Sequence, residues 1–85
     1  MISMKWVVYM LRCKDNSIYT GITNDLKKRI ETHQSGNGSK YLRGKLPLKL
    51  VYRESFQDRS TASKREIEIK KLNKKEKELL INFNK

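Results

Sequence analysis

One cysteine and one proline stand in 85 residues. Cys13 has no second thiol to pair with, which excludes an internal disulfide. A single His33 beside a single Cys13 cannot supply the N/S ligand set of a structural zinc. Cys13 ends an apolar run and reads as a small buried hydrophobe. A lone free thiol suits a reducing compartment, and the expected location is the cytoplasm. Long apolar runs are missing too. Trp6 to Leu11 is far short of the ~18 residues that span a bilayer, and no small-residue cleavage site follows it, so neither a membrane span nor a signal peptide is expected. Repeats, low-complexity stretches and linkers are absent, and residues 1–85 read as a single domain with a thin core. Acid is scarce: nine Asp and Glu face 20 Lys and Arg, leaving a net charge of +11. A field of that sign draws polyanions, nucleic acid first and anionic membrane second. A lysine-rich surface that serves solubility alone is the plain alternative.

What is present is a mixture of short strands and helices. Trp6 to Cys13 is a β-branched and aromatic run that predicts a strand. Lys14-Asp15-Asn16-Ser17 is turn chemistry, and Ile18 to Thr23 completes a hairpin. Asn24 or Asp25 caps a helix to about Gln34. Ser35 to Pro47 reads as a long, basic, mobile loop. Leu48 to Ser55 predicts a third strand with Leu48, Leu50 and Tyr52 on one face. Ser60 or Thr61 caps a second long helix to about Leu72. Asn73 with Glu76 forms a capping box for a last helix, Lys74 to about Asn82. The order β-β-α-β-α-α predicts an α+β fold around a small, three-stranded, mostly antiparallel sheet.

The second long helix carries an anomaly. At ~100° per residue, Ala62, Ile69 and Leu72 make one apolar stripe, with Lys64, Glu68 and Lys71 opposite. Glu66 falls inside the stripe. An inward carboxylate is costly unless it is paired, hydrogen-bonded or bound to a cation. It is either a metal ligand or catalytic acid, or an edge residue that bends outward. On the first helix, Arg29 and His33 share a face; periodicity alone favours a solvated arginine and a packed or helix-terminal histidine. Tyr9 and Tyr19 lie on the hairpin. An odd-length turn puts both on one sheet face and an even one splits them.

These residues together resemble the GIY-YIG nuclease family. Val7-Val8-Tyr9 and Tyr19-Thr20-Gly21 resemble its two naming tripeptides, with ten residues between the tyrosines. Arg29 falls where the family carries its catalytic arginine, His33 where many members have a histidine, and Glu66 at the metal-binding glutamate. The likeness runs from about Trp6 to Leu80 and is strongest to the small stand-alone bacterial subgroup, domain-only relatives of the excision-repair nuclease subunit. It implies hydrolysis of phosphodiester bonds with Mg²⁺ or Mn²⁺ on Glu66, Arg29 on the scissile phosphate, and Tyr19 as base supported by Tyr9 or His33. It implies DNA as the partner sooner than RNA, with no small-molecule cofactor. Ile22 stands where repair members carry a lysine, and Glu78 where larger members carry an asparagine. A nucleic-acid-binding module of the same fold without catalysis is therefore the alternative. Lys27 and Lys28 on the helix and Lys40, Arg43 and Lys45 on the loop are the expected phosphate contacts, with little sequence preference. A monomer is expected.

Overall fold

The computed structural model describes residues 5–83. Strand β1 (Trp6–Arg12) is the centre of the sheet, with β2 (Ile18–Thr23) and β3 (Lys49–Phe56) antiparallel on either side. A central strand has two covered faces, which is why Val7 through Leu11 is an unbroken apolar run and is buried throughout. Val7, Tyr9, Leu11 and Cys13 point into one cluster, closed by Leu42 and Leu48. Val8 and Met10 point into the other, closed by Tyr52, Ala62, Ile69 and Ile81.

The hairpin turn decides which side chains meet. Cys13 N–H donates to Ser17 O at 2.9 Å, leaving Lys14, Asp15 and Asn16 as an odd-length loop. Asn16 takes the left-handed φ of 70° that asparagine tolerates, and Asp15 Oδ1 accepts from the Ser17 N–H and hydroxyl. The resulting register sets Tyr9 opposite Gly21 and Leu11 opposite Tyr19, so both tyrosines occupy one face.

Helix α1 (Leu26–Gln34) is capped by Asp25, whose Oδ1 accepts from Lys28 N–H at 3.2 Å. The segment expected as a mobile loop instead contains a short helix, α2 (Lys40–Arg43), capped by Ser39. Its anchor is Leu42, fully buried in the Tyr9 cluster. The Gln34 side-chain amide brackets the backbone of Leu48 beyond it, donating at 2.9 Å and accepting at 3.1 Å. Strand β3 also departs from expectation. Its pairing with β1 slips between Met10 and Leu11, so that Met10 faces Tyr52 while Leu11 faces Leu50. The extra residue, Val51, reverses the alternation. Leu48 therefore packs with Tyr9, Tyr52 packs with Met10, and Leu50 is left 37% exposed.

Helix α3 (Arg59–Lys70) starts earlier than the Ser60 or Thr61 cap predicts, because Asp58 takes that role and accepts from Thr61 N–H at 2.8 Å. Helix α4 (Lys74–Phe83) begins with the expected capping box: Glu76 N–H donates to Asn73 Oδ1 at 2.8 Å and Asn73 N–H to Glu76 Oε1 at 2.9 Å. Arg12 makes a two-pronged bond to Glu78, at 2.6 and 2.7 Å, fastening α4 to the end of the hairpin. Glu78 is thus occupied as a structural clasp.

Candidate active site

The site grows from the face of the sheet that holds Tyr9. Two residues make room for the tyrosine. Opposite it, Gly21 has no side chain, and a Cβ there would stand 2.6 Å from the Tyr9 hydroxyl and 2.8 Å from its ring. The ring lies across bare backbone, as glycine inside a strand commonly signals. From α1, buried His33 brings Nε2 to 3.1 Å from the Tyr9 hydroxyl. Gly38 leaves equal room for His33, since any Cβ there would collide with its Nδ1.

The tautomer of His33 follows from its other nitrogen. Ser39 N–H donates to Nδ1 at 3.3 Å, so Nδ1 is the acceptor and Nε2 carries the proton. Burial, and then the charge of Arg29, hold the imidazole's pKa below its usual value, which keeps it neutral. Nε2–H therefore donates to the Tyr9 oxygen, leaving the Tyr9 proton free for another acceptor. Burial raises the Tyr9 pKa. The neighbouring Arg29 guanidinium opposes that rise, while the Tyr19 phenol and the Glu66 carboxylate add to it. Arg29 and Glu66, far apart in sequence, thus both bear on one hydroxyl.

The rings form a chain from interior to surface. Tyr9 and Tyr19 are 6.4 Å apart, Tyr19 meets His33 edge-on at 5.5 Å, and Tyr41 stacks on Tyr19 at 6.1 Å. Tyr9 is buried, Tyr19 half-buried and Tyr41 half exposed. Glu66 lies on α3 with its side chain 18% exposed, and its Oε2 meets the Lys70 ammonium at 3.1 Å, one turn along. Among the described residues no three His, Cys, Asp or Glu cluster as a metal cage. A single, largely sheltered carboxylate suits a hard, hydrated cation that keeps most of its waters, and does not suit zinc.

The structure thus brings Tyr9, Tyr19 and His33 together, with Arg29 and Glu66 near enough for their charges to act on the Tyr9 hydroxyl. The cations expected to meet phosphate are more dispersed. Lys27 and Lys28 are exposed on α1, and Arg29 and Lys28 line a polar hollow of about 200 Å³ with Thr23, Asn24, Asp25 and Thr32. Lys40 is exposed on α2, while Arg43 donates from Nε to Gly36 O at 3.2 Å. Lys45 is already engaged: its ammonium pairs with Asp15 at 2.9 Å and lies 4.1 Å from the centre of the Tyr41 ring. Hydrogen bonding to the Tyr41 hydroxyl and to Asp15 pushes its pKa up to about 12. Its visible work is to fasten the α2 segment to the hairpin turn. Sequence reasoning passed over Gly21, Gly38 and Ser39; of these only the glycine within a strand carried a signal.

A family model described as the GIY-YIG catalytic domain matches residues 5–79. The chain belongs to the GIY-YIG family. Its GIY-YIG relatives include the UPF0213 protein CPE1444 of Clostridium perfringens, 53% identical over 75 residues that cover 88% of this chain and 81% of that one. The UPF0213 protein YazA of Bacillus subtilis is 48% identical over 73 residues, covering 86% and 74%. The solution structure of the UPF0213 protein BH0048 from Bacillus halodurans matches with a TM-score of 0.62 at 44% identity, over 94% of this chain and 85% of that one. The GIY-YIG signature gains a physical meaning here: the glycine of the second tripeptide is the floor on which the tyrosine of the first one rests.

Proposed function

We propose that this chain is a divalent-metal-dependent endonuclease that hydrolyses phosphodiester bonds in DNA with little sequence preference. The observation that carries the reading is the Tyr9 hydroxyl held by His33 at 3.1 Å with Tyr19 packed beside it, where the charges of Arg29 and Glu66 also act. Arg29 clamps the scissile phosphate and stabilises the charge that builds on it, a role worth about 10²–10³ in rate. Tyr19, more accessible than Tyr9 and acting as its phenolate, takes the proton of the attacking water as the water oxygen bonds to phosphorus and the bond to the leaving oxygen breaks, the leaving oxygen departing as an alkoxide that solvent protonates. Tyr9, held by His33, hydrogen-bonds through its free O–H to the water or to a phosphate oxygen, keeping its proton, and fixes the line of attack. Glu66 holds Mg²⁺ or Mn²⁺, which when bound supplies charge stabilisation at the leaving oxygen.

A second reading has one observation in its favour. Ile22, where the family's repair members carry a lysine, packs into the apolar cluster around Met10, so no cation stands there. A binding module of the same fold, without chemistry, is the alternative. The test is cleavage of single-stranded, duplex and branched DNA by the wild type and Glu66→Ala, with Mg²⁺, Mn²⁺ or EDTA. The nuclease reading expects metal-dependent cutting by the wild type alone. No cutting by either protein, with binding retained, establishes the module.

A further inference from the structure

The proposed site uses cations of α1 and α2, yet much of the +11 charge lies elsewhere. The corner where α3 ends and α4 begins carries Lys70, Lys71, Lys74, Lys75 and Lys77, against one acid, Glu76. Glu76 is turned into the capping box of α4. Lys70, Lys71, Lys74 and Lys75 are exposed and Lys77 is half-buried. Among the described residues, Lys71, Lys75 and Lys77 have no ion-pair partner. Lys74 donates to the backbone oxygen of Asn16 at 2.6 Å, which sets the corner against the hairpin turn and its exposed Lys14.

Lys70, which pairs with Glu66, and Lys74, which holds the Asn16 oxygen, serve the fold, but among the described residues Lys71, Lys75 and Lys77 show no such return. Lys74 and Lys77 are like charges three residues apart on one helix, which costs a few tenths of a kcal/mol. Lys74 and Lys75 stand in the first turn of α4, where the backbone's partial charge is already positive. Local rules broken without a structural return point to a function. The corner also begins at the site itself, because Lys70 reaches back to Glu66 at 3.1 Å.

We propose that the α3–α4 corner is a second phosphate-docking surface, which grips the backbone of a duplex arm beyond the scissile bond while α1 and α2 hold the strand at the site. This rests on the nuclease reading and adds the extent of its substrate. The longest dimension of the molecule is 38 Å, about eleven phosphate steps at ~3.4 Å each along a strand. Short duplexes would therefore fill the site and leave the corner empty.

The test is fluorescence anisotropy of labelled duplex DNA, long and short, titrated with the wild type and with Lys71→Ala/Lys75→Ala/Lys77→Ala over a range of NaCl. Circular dichroism checks the fold, which the three surface substitutions should leave intact. Each lost phosphate contact lowers the slope of log K against log salt by ~0.9. The triple variant should bind the long duplex about 10- to 100-fold more weakly at low salt, with a slope shallower by roughly 2–3, and bind the short duplex as the wild type does. An unchanged slope on the long duplex overturns the corner as a docking surface, whatever the cleavage assay gives. Equal weakening on both lengths also overturns it, by showing a general loss of charge. Wild-type protein that binds anionic vesicles and not duplex overturns the nuclease reading together with this one.

Discussion

The two faces of the central strand do different work with alternate residues. On one side Val8 and Met10 meet Ile69, Ala62 and Ile81 in a dry, apolar layer under α3 and α4. On the other, Tyr9 meets His33, Tyr19 and the bare backbone of Gly21. The first face is the ordinary core of a small domain. The second is also buried, but its burial serves to hold a hydroxyl and an imidazole in one geometry. In so small a protein the site cannot be added to a finished core; it is half of the core.

That contrast can be broken most severely from the apolar side. Met10→Ala should cost about 2–5 kcal/mol, read by urea denaturation, while cleavage per folded molecule stays near the wild-type value. A loss of cleavage beyond the loss of folded protein would mean that the two faces are not separable. Gly21→Ala attacks the other face. It forces the Tyr9 ring off its floor, with a stability cost of about 1–3 kcal/mol and a fall in cleavage of at least about tenfold. Cleavage that survives this substitution would remove Tyr9 from the site.

Acidification should distinguish the faces as well. The pKa of His33 is lowered by folding, so the unfolded chain takes up protons more readily at this residue. The stability His33 contributes is present above its unfolded value of ~6.5 and is lost as pH falls through its lower folded value. Thermal melts from neutral to mildly acidic pH should show a fall in Tm for the wild type that His33→Asn flattens. Parallel curves would mean that the imidazole is not sheltered as described. The smallest effect concerns a single orphan on the apolar side. The buried Thr20 hydroxyl has no hydrogen-bond partner among the described residues, and its strand position opposite Met10 turns it toward α3. Thr20→Val should stabilise the protein by about 1 kcal/mol, raising Tm; destabilisation would reveal an unseen partner.

Much of this was legible in the residues. The unbroken run of β1, the capping box at Asn73 and Glu76, and the out-of-place Glu66 each follow from rules of periodicity and capping. The common face of Tyr9 and Tyr19 was legible only as a condition, since it depends on turn length, and the Cys13–Ser17 closure satisfies it. The β3 bulge left no mark in the sequence, because Leu-Val-Tyr suits either alternation. Helix α2 was hidden among glycines and lysines, its one apolar anchor, Leu42, being too little to show a period. For the candidate site, resemblance supplied five residues and a role for each, but not the geometry between them. The proton on His33 Nε2 depends on a backbone N–H at Ser39, which no side-chain pattern reveals.

The central claim is that Glu66 and the Tyr9 face form one metal-dependent site. The most direct measurement is a Mn²⁺ titration followed by paramagnetic broadening of backbone amide signals in the folded protein. The account predicts that signals around Glu66 broaden first, that those of Tyr9, Gly21 and Arg29 follow, and that Glu66→Ala abolishes the pattern. Broadening centred on Asp15 or Glu54, or a pattern unchanged in Glu66→Ala, would contradict it.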